Sequence, residues 1–169
     1  MSNALVIIDV QNAFLEKGEI QVCENVNSIL RIIKDLQCNP FFNNIIVTQH
    51  VYPTKKYLDR NTLVTGTFGS ELHEVIDKNK INLLVIKQTY SAFDSDNTLL
   101  DYLNRNNIKK LYLCGLAYDY CVGDTAISAS KNGFNVTVIK NATKSYSKET
   151  EINMNVMLLD YNVNIVNMF

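Results

Sequence analysis

The chain has no excess of basic residues. Its 169 residues carry sixteen Lys plus Arg against seventeen Asp plus Glu, a formal net charge of −1. Binding to nucleic acid draws on a basic excess that releases counterions from phosphates, so that class is excluded. Any apolar run approaching the ~20 residues that span a bilayer is also missing, which excludes a membrane span. The N-terminal stretch MSNALVIIDV has no basic segment, and Asp9 interrupts its apolar run, so it does not read as a signal peptide. The four cysteines, Cys23, Cys38, Cys114 and Cys121, show neither CxxC pairing nor metal-ligand spacing. Free thiols persist in a reducing setting, so a cytoplasmic location is expected. There is no internal repeat, linker or low-complexity segment. What is present is ordinary globular composition, 47% hydrophobic and 20% charged. That composition and length predict one domain over residues 1–169.

Six short apolar runs punctuate the chain, at residues 4–10, 44–49, 82–87, 110–114, 135–139 and 162–166. They are rich in Val, Ile and Leu with little polar alternation, as in strands buried on both faces of a parallel sheet. The segments between them carry helical spacing. Over residues 25–36, Val26, Ile29, Leu30, Ile33 and Leu36 share one face. Residues 98–103 follow the possible caps Asp96 and Asn97. Residues 121–132 end before Gly133, a suitable C-terminal cap. Met154, Met157 and Leu158 predict a last helix. The fold class is therefore α/β, a three-layer α/β/α sandwich around a six-stranded, mainly parallel sheet.

In such sheets ligands bind beyond the carboxyl ends of the strands. That rule brings Asp9, Gln49, His50, Lys87 and the stretch 115–121 to one edge. Cys121 opens a helix there. The backbone dipole and free N–H groups at a helix start favour a thiolate, and Lys87 is expected to lower the thiol pKa further. Asp9 can take the thiol proton and return it to a leaving amine. Backbone N–H groups of the 115–121 turn can hold an oxyanion. A cysteine taken singly is usually core, which describes Cys114 and Cys38. Cys121 differs because an acid and a lysine reach the same edge.

Three ordered motifs then carry a resemblance: ALVIIDVQNAF at 4–14, VIKQTYSAF at 85–93 and LCGLAYDYCVGDTAISASKNGF at 113–134. A fourth stretch, VTGTFGSELH at 64–73, adds to it. Together they resemble the isochorismatase-like cysteine hydrolases, and among them the nicotinamidases. The resemblance implies a catalytic trio of Asp9, Lys87 and Cys121. It also implies a cis peptide at Leu116–Ala117 and an oxyanion hole built from the N–H groups of Ala117 and Cys121. Phe14, Phe68 and Tyr90 match positions that line an aromatic substrate pocket; ordinary packing is the competing reading for Phe68. The implied reaction is hydrolysis of a small carboxamide through a thioester, with nicotinamide giving nicotinic acid and ammonia as the best single guess.

The resemblance breaks at the family's metal site. Nicotinamidases hold a divalent ion through an Asp-x-His pair after the second strand and one further His. Here the stretch is TQHVYP at 48–53, so His50 stands in place of the Asp and Tyr52 in place of the His. Thr62 stands where the further His is expected. An imidazole, a phenol and a hydroxyl make a poor Zn²⁺ set, so no metal and no other cofactor is expected. His50, Tyr52 or Thr62 would instead contact the substrate ring. His73 reads as a surface residue on a helix-like stretch. Two enzymatic alternatives stand beside the nicotinamidase reading: hydrolysis of another amide or carbamoyl compound, and an isochorismate-type reaction. A third is a non-catalytic binding module. The expected partner is a small-molecule amide, with no nucleic acid and no membrane, and the resemblance implies a homo-oligomer.

Overall fold

Residue alternation along the first strand explains the layering. The computed structural model describes residues 2–53 and 62–168. Strand β1 (Ser2–Ile8) sends Ala4, Val6 and Ile8 to one face of the sheet and Leu5 and Ile7 to the other. Both sets are fully buried, so both faces must be covered by helices. Helix α1 (Ser28–Cys38) covers the Leu5–Ile7 face with Ile29, Ile33 and Leu36. The opposite face is covered by α2 (Thr98–Arg105), α3 (Gly123–Lys131) and α4 (Lys148–Asp160), through Leu99, Leu103, Ala126, Ala129 and Leu158.

The remaining strands are β2 (Asn44–His50), β3 (Leu83–Lys87), β4 (Ile108–Leu116), β5 (Asn135–Lys144) and β6 (Asn164–Val166). Their order in the sheet is β3-β2-β1-β4-β5-β6. All five pairings are parallel, so the expected three-layer α/β/α sandwich is found. The chain winds outward from β1 to β3, then returns to the other side of β1 as β4. The carboxyl ends of β1 and β4 therefore flank the point where the winding reverses, where open α/β sheets bind ligands.

Two details position that crevice. Gly115 has φ +105, and a Cβ there would lie 2.1 Å from the Ile8 carbonyl oxygen. Only glycine lets β4 approach the end of β1 so closely. Asp9 follows with φ +47, a left-handed conformation that Asp tolerates better than most residues. The helix-like stretch around His73 is not helical. Leu72 instead forms an isolated bridge with Gln11, and the His73 N–H donates to the Val10 carbonyl at 2.8 Å. Most of the span between Pro53 and Gly66 lies outside the described residues.

Candidate active site

The register of β1, β2, β3 and β4 delivers the site. Asp9 follows β1, Lys87 ends β3 and pairs with His50 at the end of β2, and Cys121 lies in the turn after β4. Asp9, His50, Lys87 and Cys121 are all buried. Lys87 Nζ is 2.7 Å from Asp9 Oδ2, an ion pair buried on both sides. The same ammonium donates to the Thr89 carbonyl at 2.9 Å and lies 3.3 Å from His50 Nδ1. Lysine can only donate, so Nδ1 of His50 accepts. The imidazole proton then sits on Nε2 and faces the Tyr52 hydroxyl at 2.9 Å.

This neutral tautomer agrees with the electrostatics. Burial, helped by the Lys87 charge, pushes the His50 pKa from 6.5 down to about 4. For Lys87 burial acts downward, but the Asp9 carboxylate and the Cys121 sulfur outweigh it and leave the pKa raised. Cys121 reverses the expectation of a lowered thiol pKa. Burial is the main cause and the Asp9 charge the next, and together they hold the thiol well above its usual range despite Lys87. At rest the group is a thiol, so its reaction needs a base within reach. A carboxylate oxygen of Asp9, Nδ1 of His50 and Sγ of Cys121 all lie within 4.8 Å of one another.

The turn that carries Cys121 is built locally. The peptide Leu116–Ala117 is cis, as the resemblance implies. A π-helical turn, Tyr118–Val122, precedes α3, so Cys121 sits inside a tight turn one element earlier than the expected helix start. The Ala117 carbonyl accepts from the N–H groups of Tyr120 and Val122, at 3.1 and 3.0 Å. Asp119 ties the turn to the start of α4. Its Oδ2 accepts from the Tyr146 N–H at 3.0 Å and the Thr150 hydroxyl at 2.5 Å.

A cavity of about 950 Å³ opens over the sulfur. Of the expected lining residues, Phe14, His50, Tyr52, Tyr90 and Ala117 all face it, as does Thr62. Phe68 is a correction. It is 76% exposed and lines a neighbouring cavity, because the short helical turn Phe68–Ser70 directs it outward. Three contributors escaped the sequence reading. Thr48 donates its hydroxyl to Asp9 Oδ1 at 2.6 Å and accepts the Asp9 N–H at 3.1 Å. Its signal was a polar residue directly after the apolar stretch 45–47, two residues before the end of a buried strand. Tyr120 and Tyr146 also line the cavity, and only the tertiary fold reveals them.

The model of the isochorismatase domain family matches residues 3–166, and the chain belongs to that family. A nicotinamidase of Acinetobacter baylyi is 31% identical over 84% of this chain and 81% of its own length. The structure of PnC1 from L. infantum in complex with nicotinate superposes with a TM-score of 0.88 at 27% identity, covering 98% of this chain and 92% of that one. A pyrazinamidase of Pyrococcus horikoshii, solved in complex with zinc, gives 0.87 at 25% identity over 99% and 100% of the two chains.

The expectation that no metal belongs here is overturned by two findings. The zinc complex of that pyrazinamidase is one. The other is the buried Asp9–His50–Cys121 group, whose ligand atoms converge within 4.8 Å. Reading residues 50, 52 and 62 as a spoiled ligand triplet missed it. The convergent donors are His50 with Asp9 and Cys121, which follow different strands. A carboxylate, a neutral imidazole and a thiolate would fit a borderline-soft divalent ion by donor chemistry, so binding would require the Cys121 thiol to release its proton. Lys87 competes with such an ion for the same donors.

Proposed function

We propose that the chain, acting as one domain over residues 1–169, hydrolyses nicotinamide to nicotinic acid and ammonia, with Cys121 as nucleophile. What carries the reading is the buried group of Asp9, Lys87 and Cys121 at the floor of an aromatic cavity, in a chain whose relatives are nicotinamidases. Asp9 takes the thiol proton as Sγ attacks the carboxamide carbon. The N–H groups of Ala117 and Cys121 hold the oxyanion. The tetrahedral adduct collapses, Asp9 protonates the departing ammonia, and a thioester remains. Asp9 then deprotonates a water that attacks the thioester, and the acid leaves as the thiol is restored. Lys87 balances the negative charge shared by Asp9 and the sulfur. Phe14, Tyr52 and Tyr90 pack the ring, and His50 orients it from the cavity floor. A divalent ion would be held by Asp9, His50 and Cys121 and would favour the thiolate by its positive charge, but it would occupy the carboxylate and sulfur lone pairs that the attack uses, so the attack itself needs Asp9 and Cys121 free of it.

Ammonia release from nicotinamide by the purified protein tests this directly. Turnover lost in Cys121→Ala is expected; turnover that survives it refutes the assignment. Another small amide or carbamoyl substrate uses the same chemistry and is separated from nicotinamide by the same assay on a panel. Isochorismate fits less well, since it is an anion. Among the described residues that line the cavity, Glu19 is charged and none is Lys or Arg. A non-catalytic module leaves the buried Asp9–Lys87 pair without a purpose that offsets its desolvation.

Self-association through α4 belongs to the same reading. Ile152, Val156 and Leu159 are 53%, 56% and 64% exposed at helical spacing on its outer face. In an antiparallel two-fold pairing centred on Met154, Ile152 meets Val156 of a second copy and Lys148 meets Asp160, while Leu159 packs over the aliphatic stem of Glu149.

A further inference from the structure

One wall of the cavity is a row of tyrosines of which the reaction of a single-ring amide uses only Tyr90, at one end. Tyr90 follows β3, Tyr120 immediately precedes Cys121, and Tyr146 follows β5. The Tyr90 and Tyr120 rings are 5.5 Å apart and tilted by 59°. Tyr120 meets Tyr146 edge-on at 5.6 Å. All three line the cavity over the sulfur, yet each is exposed. The row is held in place at its far end, where the Tyr146 hydroxyl donates to the Ile20 carbonyl at 3.2 Å and its N–H to Asp119. A fixed, wet row of aromatic rings gains from being covered by a flat ligand.

The volume points the same way. At about 950 Å³ the cavity lies at the upper end of the ~300–1,000 Å³ that hold drug-sized ligands, and a one-ring carboxamide fills a small part of it. We infer that Tyr120 and Tyr146 continue the row from Tyr90 into a second subsite beside the scissile amide, and that the preferred substrates are aryl carboxamides carrying a second, fused or attached, planar ring. This rests on Cys121 being the nucleophile of an amide hydrolase only for the hydrolysis itself; the binding preference stands apart from it.

Calorimetric titration of the Cys121→Ala protein separates the two. Nicotinamide is compared with quinoline-3-carboxamide, its benzo-fused analogue, and with the tetrahydroquinoline, which has similar bulk but a saturated second ring. The two-ring aromatic amide is expected to bind about tenfold more tightly than nicotinamide, and clearly more tightly than the saturated analogue. Adding Tyr120→Ala should bring the quinoline-to-nicotinamide ratio close to one, while Tyr120→Phe should preserve it. Equal affinities for all three amides overturn the subsite, and so does a preference untouched by both Tyr120→Ala and Tyr146→Ala. If Tyr120→Ala does not fold, the ratio between the aromatic and saturated analogues decides. Ammonia release by the unmodified protein is the separate readout. Preferred binding without turnover of any amide refutes the hydrolase and leaves the subsite. Turnover of nicotinamide with no binding preference refutes the subsite alone.

Discussion

Replacing Thr48 by valine keeps the shape of the side chain and removes one hydroxyl. That hydroxyl donates to Asp9 Oδ1 at 2.6 Å and accepts the Asp9 N–H at 3.1 Å, and both residues are fully buried. Valine therefore leaves a buried carboxylate oxygen and a backbone N–H without partners. A hydrogen bond to a charged group contributes about 1.5–3 kcal/mol, and a neutral donor left buried and unpaired costs about 1–3 kcal/mol. Partial relaxation brings the expected loss to about 3 kcal/mol. In a chain of this length each kcal/mol lowers the thermal midpoint by about 2–4 °C, so a drop on the order of 10 °C is expected by circular dichroism. Asp9 also loses the contact that fixes its carboxylate plane, while Lys87 still holds the other oxygen. A misplaced general base costs on the order of 10²-fold in kcat, with KM little changed because the cavity walls are intact. Thr48→Ser should restore both readouts. A Thr48→Val protein that unfolds earlier but keeps kcat within about twofold refutes Asp9 as a base positioned by Thr48. An unchanged midpoint refutes the energetic argument itself.

Gly115→Ala should destabilise by on the order of 3 kcal/mol and abolish turnover. The new Cβ meets Ile8 backbone at 2.1 Å in a left-handed conformation, and chemical denaturation measures the loss. Metal-free protein should lose stability as pH falls from about 6.5 toward 4. His50 has its folded pKa lowered to about 4, so the unfolded state binds more protons across that window. The loss approaches about 3 kcal/mol at pH 4, and His50→Asn should remove that slope from denaturation curves. Added Zn²⁺ should raise the thermal midpoint of the protein but not that of His50→Ala; equal shifts in both place the ion elsewhere. Val156→Glu on the outer face of α4 should give monomers by sedimentation without lowering turnover, and an unchanged sedimentation coefficient removes α4 from the interface.

Much of the fold was legible because parallel strands buried on both faces announce themselves locally. The apolar runs at 44–49 and 82–87 match β2 and β3 to within a residue. The runs at 110–114 and 135–139 stop short of the ends of β4 and β5: Gly115 interrupts the apolar pattern of β4, and the polar end of β5 is held by register, with Thr143 and Lys144 paired to Gly115 and Leu116. Phe14, Tyr52 and Tyr90 were found by motif, and Phe68 was misplaced by it. An aromatic residue in a short turn faces wherever the turn directs it, which no neighbour in sequence decides. The metal expectation failed for a similar reason. It compared residues 50, 52 and 62 position by position, whereas the convergent donors come from the ends of separate strands.

Composition, the six apolar runs and the spacing between them determined the class of fold and the edge at which Asp9, Lys87 and Cys121 lie, since strand direction alone carries residues to the carboxyl end of a parallel sheet. The protonation states and the shape of the site were decided only by the tertiary structure. Thr48 reaches Asp9 across 39 residues and His50 reaches Cys121 across 71. Burial that raises the Cys121 thiol, where a helix start alone favours a thiolate, exists only once four strands are in register and α3 closes over them. Desolvation is a property of what surrounds a group in space, and sequence neighbours supply little of it.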